Sequence, residues 1–416
     1  MEKNNNKCYN NSGGYGVVMK TILDMDVENK SVVVRCDFNV PIEDGVITDS
    51  SRVKKSLKTI KYLLDKNCKV VLLSHFGRVK KEEDKKNNTL KPVASLLAEL
   101  LKRKVVFLDE CYGQRVKDVV ANASLGDVIR LENTRFMDVP DMLESNNDDR
   151  LAEYFASLGD VFINDAFGAL HRNHASTAGI AKYIDSGIGF LVKEELDKLY
   201  ILVDNTPAPF AVFMGGAKVD DKLPIIKKFI DKCDYLMLGG GIANSFFKAT
   251  GRNVGESVAT SDANILKDLK ELYAKYEGKI ILPSDFTLDD GRIILPGDFT
   301  HDDGKIYDVG PISISKYKEI IDNCATVFVN GTPGLYEDDR FRKGTIGLLS
   351  VLASSPANVI IGGGDTASAV KKFGFDNAFS HVSSGGGATL EFIANGGTLP
   401  VLDALEESNS LKRMNI

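Results

Sequence analysis

Short apolar runs recur along this chain, separated by amphipathic stretches, and that alternation sets the expected fold class. From Lys20 onward, Val32–Arg35, Lys69–Leu73, Val105–Leu108, Asp127–Leu131 and Asp160–Ile163 read as strands. Ser51–Lys66, Pro92–Lys102, Gln114–Ala121 and Arg150–Leu158 lie between them with apolar residues at helical spacing. Pro92 stands near a helix start, where its missing N–H is tolerated. Strands that are nearly all apolar are covered on both faces, which indicates a parallel sheet wrapped by helices. After Pro207-Ala208-Pro209 the pattern restarts. Its strands are Phe210–Met214, Tyr235–Leu238, Lys279–Leu282, Thr326–Val329, Asn358–Ile361 and a short Ser380–Val382. Its helices are Lys222–Lys232, Ala243–Ala249, Asp262–Tyr276, Ser315–Asp322, Arg342–Ala353 and Ala367–Phe373. The prediction is an α/β protein of two doubly wound, Rossmann-like parallel-sheet domains. Phe190–Val203, with Leu191, Leu196, Leu199 and Leu202 among charged residues, reads as a helix joining them.

The expected boundaries are an extension over 1–19, a first domain over 20–189, the joining helix over 190–203, a second domain over 204–398 and a tail over 399–416. The extension is Asn- and Gly-rich and has no apolar stretch of the secretory kind, so it reads as disordered. Lys80–Asn88 and Asp138–Asp149 are polar and read as solvated insertions. Ile281–Ile293 is followed at once by a near copy, Ile294–Ile306. Both carry Asp-Asp-Gly turn signals, which predict a pair of hairpin-like excursions. Two copies are too few for a solenoid, and the aspartates lack EF-hand spacing.

Composition narrows the function without naming it. A chain of 416 residues suits two to three domains. A net charge of −6 argues against nucleic-acid binding, and no apolar run approaches the ~18 residues of a membrane span. The 6 cysteines form no Cys-x-x-Cys pair, which suits reduced, buried thiols in a cytoplasmic protein.

Candidate chemistry collects at strand ends. Arg35-Cys36-Asp37-Phe38-Asn39, Ser74–Arg78, Asn133-Thr134-Arg135 and Asn164–His174 each follow a first-half strand, and Arg52 opens the first helix. In a parallel sheet these positions share the carboxyl edge, where ligands bind. So many like charges call for an anion, with Asp37, Asp165 and Glu132 as the alternative partners. The second half repeats the placement with glycines at Gly215-Gly216, Gly239–Gly241, Gly331–Gly334, Gly362–Gly364 and Gly385–Gly387. Such clusters imply a backbone surface that admits a phosphate-bearing ligand. Within Gly362-Gly363-Gly364-Asp365-Thr366, Asp365 is placed for a phosphate-bound Mg²⁺, and Thr366 for a helix cap or a phosphate oxygen. Lys218 and Lys222, i and i+4, would share a helix face and both reach phosphates. No P-loop, no Gly-x-Gly-x-x-Gly after a first strand and no protein-kinase signature occurs.

Taken in order, Arg35–Pro41, Ser74–Arg78, Glu132–Phe136, Asn164–His174, Gly215–Lys222, Gly239–Ala243, Asn330–Glu337, Gly362–Thr366 and His381–Leu390 resemble the phosphoglycerate kinase family from about Lys20 to Leu405. The resemblance implies reversible phosphoryl transfer between 1,3-bisphosphoglycerate and ADP, giving 3-phosphoglycerate and ATP, with Mg²⁺ as cofactor and a monomer as the working unit. It implies that Asp37 and Asn39 hold the glycerate end, and that His75, Arg78, Arg135 and Arg172, with His171 close by, take the non-transferred phosphate. Arg52 and Lys218 would flank the group in transit, with Gly364 the remaining catalytic position. Gly215, Lys222, Gly239, Asn330, Gly363, Gly364 and Thr366 would serve the nucleotide phosphates, Asp365 the metal and Glu337 the ribose. The tail would return to the first domain. The sequence departs from the family pattern at Val79, Thr332–Tyr336 and Ile306-Tyr307, the last beside the expected purine pocket. A non-catalytic nucleotide-binding homologue remains the alternative reading.

Overall fold

Val32, Val33 and Val34 have no exposed surface, as a strand covered on both faces requires. They lie in β1 (Ser31–Cys36), where Val33 sits between Val71 and Phe162 of two parallel neighbours. β-Branched side chains suit that pleated, packed setting, and each buried valine contributes about 2 kcal/mol through removal from water. The computed structural model describes residues 19–300 and 303–414, so residues 1–18 of the predicted extension lie outside the described residues. The chain divides into two units: one ends at Tyr200 and resumes at Thr398, the other is Ile201–Gly397.

In the first unit β2 (Ile42–Glu43) and β3 (Val46–Ile47) form a small hairpin. Strands β4 (Lys69–Leu73), β5 (Val105–Phe107), β6 (Val128–Arg130), β7 (Val161–Asp165) and β8 (Asp185–Ile188) join β1 in a parallel sheet of order β5-β6-β4-β1-β7-β8. The sequence pattern does not predict β8, because Asp185 and Gly187 interrupt its apolar run. Helices α1 (Ser51–Asp65), α2 (Lys91–Leu101), α3 (Gln114–Asn122), α4 (Asp149–Ala156) and α5 (Phe190–Leu199) accompany the sheet. α1 buries Val53, Ser56, Thr59, Ile60 and Leu63, one face at three- and four-residue spacing. α4 is capped by Asp148, whose carboxylate accepts from the N–H groups of Arg150 and Leu151. The Phe190 ring of α5 stands edge-on to Tyr62 of α1 at 5.3 Å.

The second unit repeats the plan. Its parallel sheet has β9 (Phe210–Met214), β10 (Tyr235–Leu238) and β11 (Ile280–Ile281) on one side, and β15 (Thr326–Asn330), β16 (Asn358–Gly362) and β17 (His381–Val382) on the other, in the order β11-β10-β9-β15-β16-β17. Between them in sequence, β12 (Phe286–Leu288), β13 (Ile293–Ile294) and β14 (Ile306–Val309) form an antiparallel sheet. The helices are α6 (Leu223–Phe229), α7 (Gly240–Ala249), α8 (Ala263–Lys275), α9 (Pro311–Ile321), α10 (Lys343–Ser354), α11 (Gly364–Lys372) and α12 (Gly387–Ala394). Helix α13 (Pro400–Met414) belongs to the first unit, where the Val401 N–H donates to the Leu170 carbonyl at 3.2 Å and Leu405 is fully buried. Among the described residues no helix is long and apolar enough to cross a membrane.

Three local expectations need correction. The tandem copies at 281–306 do not fold alike. Phe286–Leu288 of the first copy is paired on both edges, with β13 and with β14, so Phe299-Thr300 of the second has no edge left and joins no strand. Asp138–Asp149 is not a solvated insertion: Asp138 is 2% and Glu144 0% exposed, because both turn inward to basic and hydroxyl groups. Helices α7 and α11 start on their glycines, a turn earlier than predicted. β1 is flanked by β4 and β7, and β9 by β10 and β15, so each sheet has a point where crossovers leave in opposite directions and a crevice opens at the strand ends.

Candidate active site

The first unit gathers its basic loops at the carboxyl edge of β1, β4, β6 and β7. Asp37 is 6% exposed and accepts from the Arg52 guanidinium at 3.0 Å. Arg52 also donates to the Asn39 carbonyl at 3.2 Å, and the Asn39 side-chain oxygen accepts from the Gly77 N–H at 3.0 Å. Asn133 ties the next loop in, accepting from the Phe76 N–H at 3.0 Å and donating to the Phe76 carbonyl at 2.7 Å. Arg135 donates to Asp138 at 3.4 Å and Ser145 at 3.3 Å, while its Nε is buried without an acceptor. His75 is buried between two guanidiniums, with Arg35 Nη2 3.0 Å from Nδ1 and Arg172 Nη1 3.1 Å from Nε2. Arg172 Nε donates to His171 Nε2 at 3.2 Å, and His171 Nδ1 is buried without a partner. Arg78 is exposed.

The electrostatics record an excess of positive charge. Burial, then the guanidiniums of Arg35 and Arg172, holds His75 well below its ordinary range. Burial and Arg172 lower His171 to about 4, and burial and Arg135 lower His174 to about 3. Asp165 and Glu132 do not supply the missing charge. Asp165 accepts from the Leu191 and Val192 N–H groups at the start of α5, and burial raises it to about 6. Glu132 accepts from the Thr89 hydroxyl and the Leu90 N–H. The carboxylates that do reach the basic groups are Asp37, Asp138 and Glu144. Glu144 is wholly buried, accepts from the Thr134 hydroxyl at 3.1 Å and from the Ser176 N–H at 3.0 Å, and is pushed up by burial against the pull of Arg35. Sequence reasoning missed it, because one glutamate in a polar stretch carries no signal of its own.

In the second unit the glycine clusters stack on one another. A Cβ on Gly215 would stand 2.2 Å from the Thr332 carbonyl oxygen, one on Gly239 2.8 Å from Pro333 Cα, and one on Gly241 2.1 Å from the Ala217 carbonyl oxygen. Their first role is to let adjacent strand-end loops touch, a demand that the pattern alone attributes to a ligand. Gly364 differs, with open space around its Cβ position at the start of α11. Gly363 precedes it at φ 91°, 2.6 Å from the buried Asn330 amide nitrogen by the same measure. Thr366 is not a helix cap; its buried hydroxyl accepts from the Gly331 N–H at 2.7 Å. Lys218 and Lys222 share no helix face, because α6 begins only at Leu223 and its Pro224 takes an initial position. Lys222 donates to the Gly215 carbonyl at 2.7 Å, and burial lowers its pKa while Asp365 opposes the shift. Lys218 is exposed.

Beside these loops lies a cavity of about 320 Å³, with Gly216, Gly240, Gly241 and Gly334 at its rim, Val258, Phe286, Tyr307 and Leu335 in its walls, and Glu337 and Asp365 among its acids. The tandem repeat supplies one wall through Phe286, Lys305 and Ile306. Tyr307 stacks on Phe341 with ring centres 4.7 Å apart.

A family model described as phosphoglycerate kinase matches residues 22–396. The chain belongs to the phosphoglycerate kinase family. It is 43% identical over 396 residues to the phosphoglycerate kinase of Fusobacterium nucleatum, covering 93% of this chain and 99% of that one. It is 44% identical over 396 residues to that of Enterococcus faecalis, with the same coverage. Among solved structures, phosphoglycerate kinase from Coxiella burnetii superposes with a TM-score of 0.81 at 32% identity, over 94% of this chain and 99% of that one. The Pyrococcus horikoshii enzyme does so with a TM-score of 0.82 at 30% identity, over 94% and 100%.

One cavity residue of this phosphoglycerate kinase family member yields a pH prediction. Asp308 is 2% exposed and accepts from the Val309 and Gly344 N–H groups at 2.9 and 2.6 Å. Burial raises its carboxyl to about 7 from an ordinary 3.8, against the pull of those N–H groups. A raised folded-state pKa means stability that is lost as pH climbs through about 7. Asp308→Asn cannot titrate. Its stability relative to wild type is therefore expected to improve by about 2 kcal/mol between pH 5.5 and 8.5, read from paired thermal melts. A constant difference would show that Asp308 does not change charge in that window.

Proposed function

We infer that this chain is a phosphotransferase that moves a phosphoryl group reversibly between 1,3-bisphosphoglycerate and ADP, giving 3-phosphoglycerate and ATP. The observation that carries the reading is a division of labour between two sheet edges. One bears basic groups with orphaned donors at Arg135 and His171, the other a glycine-rimmed cavity beside a helix N-terminus. The roles follow from chemistry. Asp37 and Asn39, locked to Arg52, suit the glycerate hydroxyl and carboxyl end. His75, Arg78, Arg135, His171 and Arg172 suit a dianionic phosphate. The N–H groups of Gly364, Asp365 and Thr366 at the start of α11 suit the nucleotide phosphates, with Gly363, Gly215, Gly239 and Asn330 shaping their approach, Lys222 beside them and Glu337 at the ribose.

A nucleotide-bound Mg²⁺ keeps most of its waters and takes one or two carboxylates, and Asp365, exposed at the cavity at the start of α11, offers one. When bound, the metal neutralises charge on the phosphate oxygens. In the ATP-consuming direction the nucleophile is a carboxylate, ionised at neutral pH, so no general base is required. Arg52 and Lys218 stabilise the charge spread over the phosphoryl group in transit. In-line transfer needs both substrates on one axis with water excluded, so the reading includes a domain closure, with 190–203 and 385–387 as the hinge segments. The protein acts as a cytoplasmic monomer on this reading.

A coupled assay for ATP formation from 1,3-bisphosphoglycerate tests it, with Lys218→Ala expected to run about 10²–10³-fold slower than wild type. Wild-type turnover no faster than that variant would leave a nucleotide-binding protein without transfer activity.

A further inference from the structure

A neutral imidazole has one accepting nitrogen, and a guanidinium can only donate. His75 nonetheless faces a guanidinium at each ring nitrogen, Arg35 at Nδ1 and Arg172 at Nε2. Protonation would set donor against donor on both sides. Burial and the charges of Arg35, Arg172 and Arg135, together with the neighbouring His174 ring, oppose it as well, so the ring is neutral. One of the two arginines therefore meets an N–H.

Burial decides which. Arg35 is 1% exposed, and each of its donors must be satisfied inside the protein. Its Nε donates to the Ser176 hydroxyl at 3.0 Å, its Nη1 to the Cys36 carbonyl, and its Nη2 meets His75 Nδ1. Arg172 is partly exposed, and water can satisfy it. Ser176 is held in turn by Glu144, which accepts both its hydroxyl proton and its N–H. Glu144, Ser176, Arg35 and His75 thus form one continuous buried chain of hydrogen bonds.

We propose that Glu144, Ser176 and Arg35 hold His75 in the tautomer that carries its proton on Nε2, so that His75 and Arg172 present two donors, 3.1 Å apart, to a single oxygen of the substrate's non-transferred phosphate. The ring serves as a neutral donor and not as a cation. An oxygen that accepts from both groups relieves the donor–donor contact that exists without it. Glu144, Ser176 and Arg35 are positioning residues, since they act through His75. The phosphate part rests on the reading of this edge as a phosphoglycerate site; the tautomer does not.

Long-range ¹H–¹⁵N spectra of the full-length protein without substrate, with His75 assigned through His75→Asn, test the tautomer. The expected pattern is neutral and Nε2-protonated, persisting below the pH at which an ordinary imidazole takes up its second proton. An Nδ1-protonated ring, or an imidazolium at pH 7, overturns the proposal whatever the protein binds. Ser176→Ala tests the chain of bonds. It is expected to mix the tautomers and raise the KM for 3-phosphoglycerate about ten-fold, with kcat and the KM for ATP little changed and Ser176→Thr restoring both readouts. An unaltered tautomer and KM in a folded Ser176→Ala protein overturn the positioning role. An Nε2-protonated ring in a wild type that does not bind 3-phosphoglycerate overturns the phosphate role and the site reading together.

Discussion

Arg52→Ala is expected to lower kcat by about 10³-fold, the scale on which a single arginine acts in phosphoryl transfer. The side chain is pre-aimed: one Nη donates to Asp37 at 3.0 Å and to the Asn39 carbonyl at 3.2 Å, and a third of it remains exposed at 36%. In the role proposed for it, its charge matters most when negative charge spreads over the transferring group, so the loss should appear in kcat and leave the KM for nucleotide unchanged. Asp37, 6% exposed, would be left without its ion pair, so the KM for 3-phosphoglycerate should rise as well. Arg52→Lys keeps the charge but loses the fork, and should fall between the two. Steady-state rates in both directions, with circular dichroism to confirm folding, make the comparison. A kcat within ten-fold of wild type for Arg52→Ala would remove this residue from the transfer step.

That prediction uses a part of the site that was legible in the sequence, for a specific reason. Strands buried on both faces announce themselves as apolar runs, and a parallel sheet carries the residues after those runs to one edge. Asp37, His75, Arg135 and Arg172 could be grouped this way although they are far apart in the chain. What could not be read depends on tertiary partners. Glu144 and Asp138 sit in a stretch that looks solvated, because local polarity says nothing about an arginine waiting inside. The two repeat copies are nearly identical, yet only one is a hairpin, because the edges of Phe286–Leu288 are taken from both sides. Lys218 and Lys222 have helical spacing, but spacing is not a helix, and α6 starts beyond them. Family membership names the chemistry; it does not reveal that most of the strand-end glycines pack against their neighbours.

Gly331→Ala and Gly364→Ala separate those two uses of glycine, with opposite expected signs. Gly331 lies at φ 88°, and its Cβ would stand 2.2 Å from the Gly215 carbonyl oxygen, a backbone atom held by the end of β9. Neither the strain nor the clash can relax without parting the loops after β9 and β15, so the variant should lose about 4 kcal/mol or more and melt some 10 °C lower. Gly364 begins α11 with open space around its Cβ position and a φ outside the left-handed region. Alanine there should leave the melting temperature unchanged or raise it by the equivalent of about 0.5 kcal/mol, because the unfolded chain loses freedom. The added methyl would nevertheless project into the open space at the start of α11, where the proposed function puts the nucleotide phosphates. A close approach of phosphate oxygens to that backbone would be blocked, so the KM for ADP should rise about ten-fold in a protein that is no less stable. The pair is informative because stability and nucleotide affinity move independently. If Gly364→Ala binds ADP as wild type does, the start of α11 is not where the phosphates sit, and its glycine is only the opening of a helix.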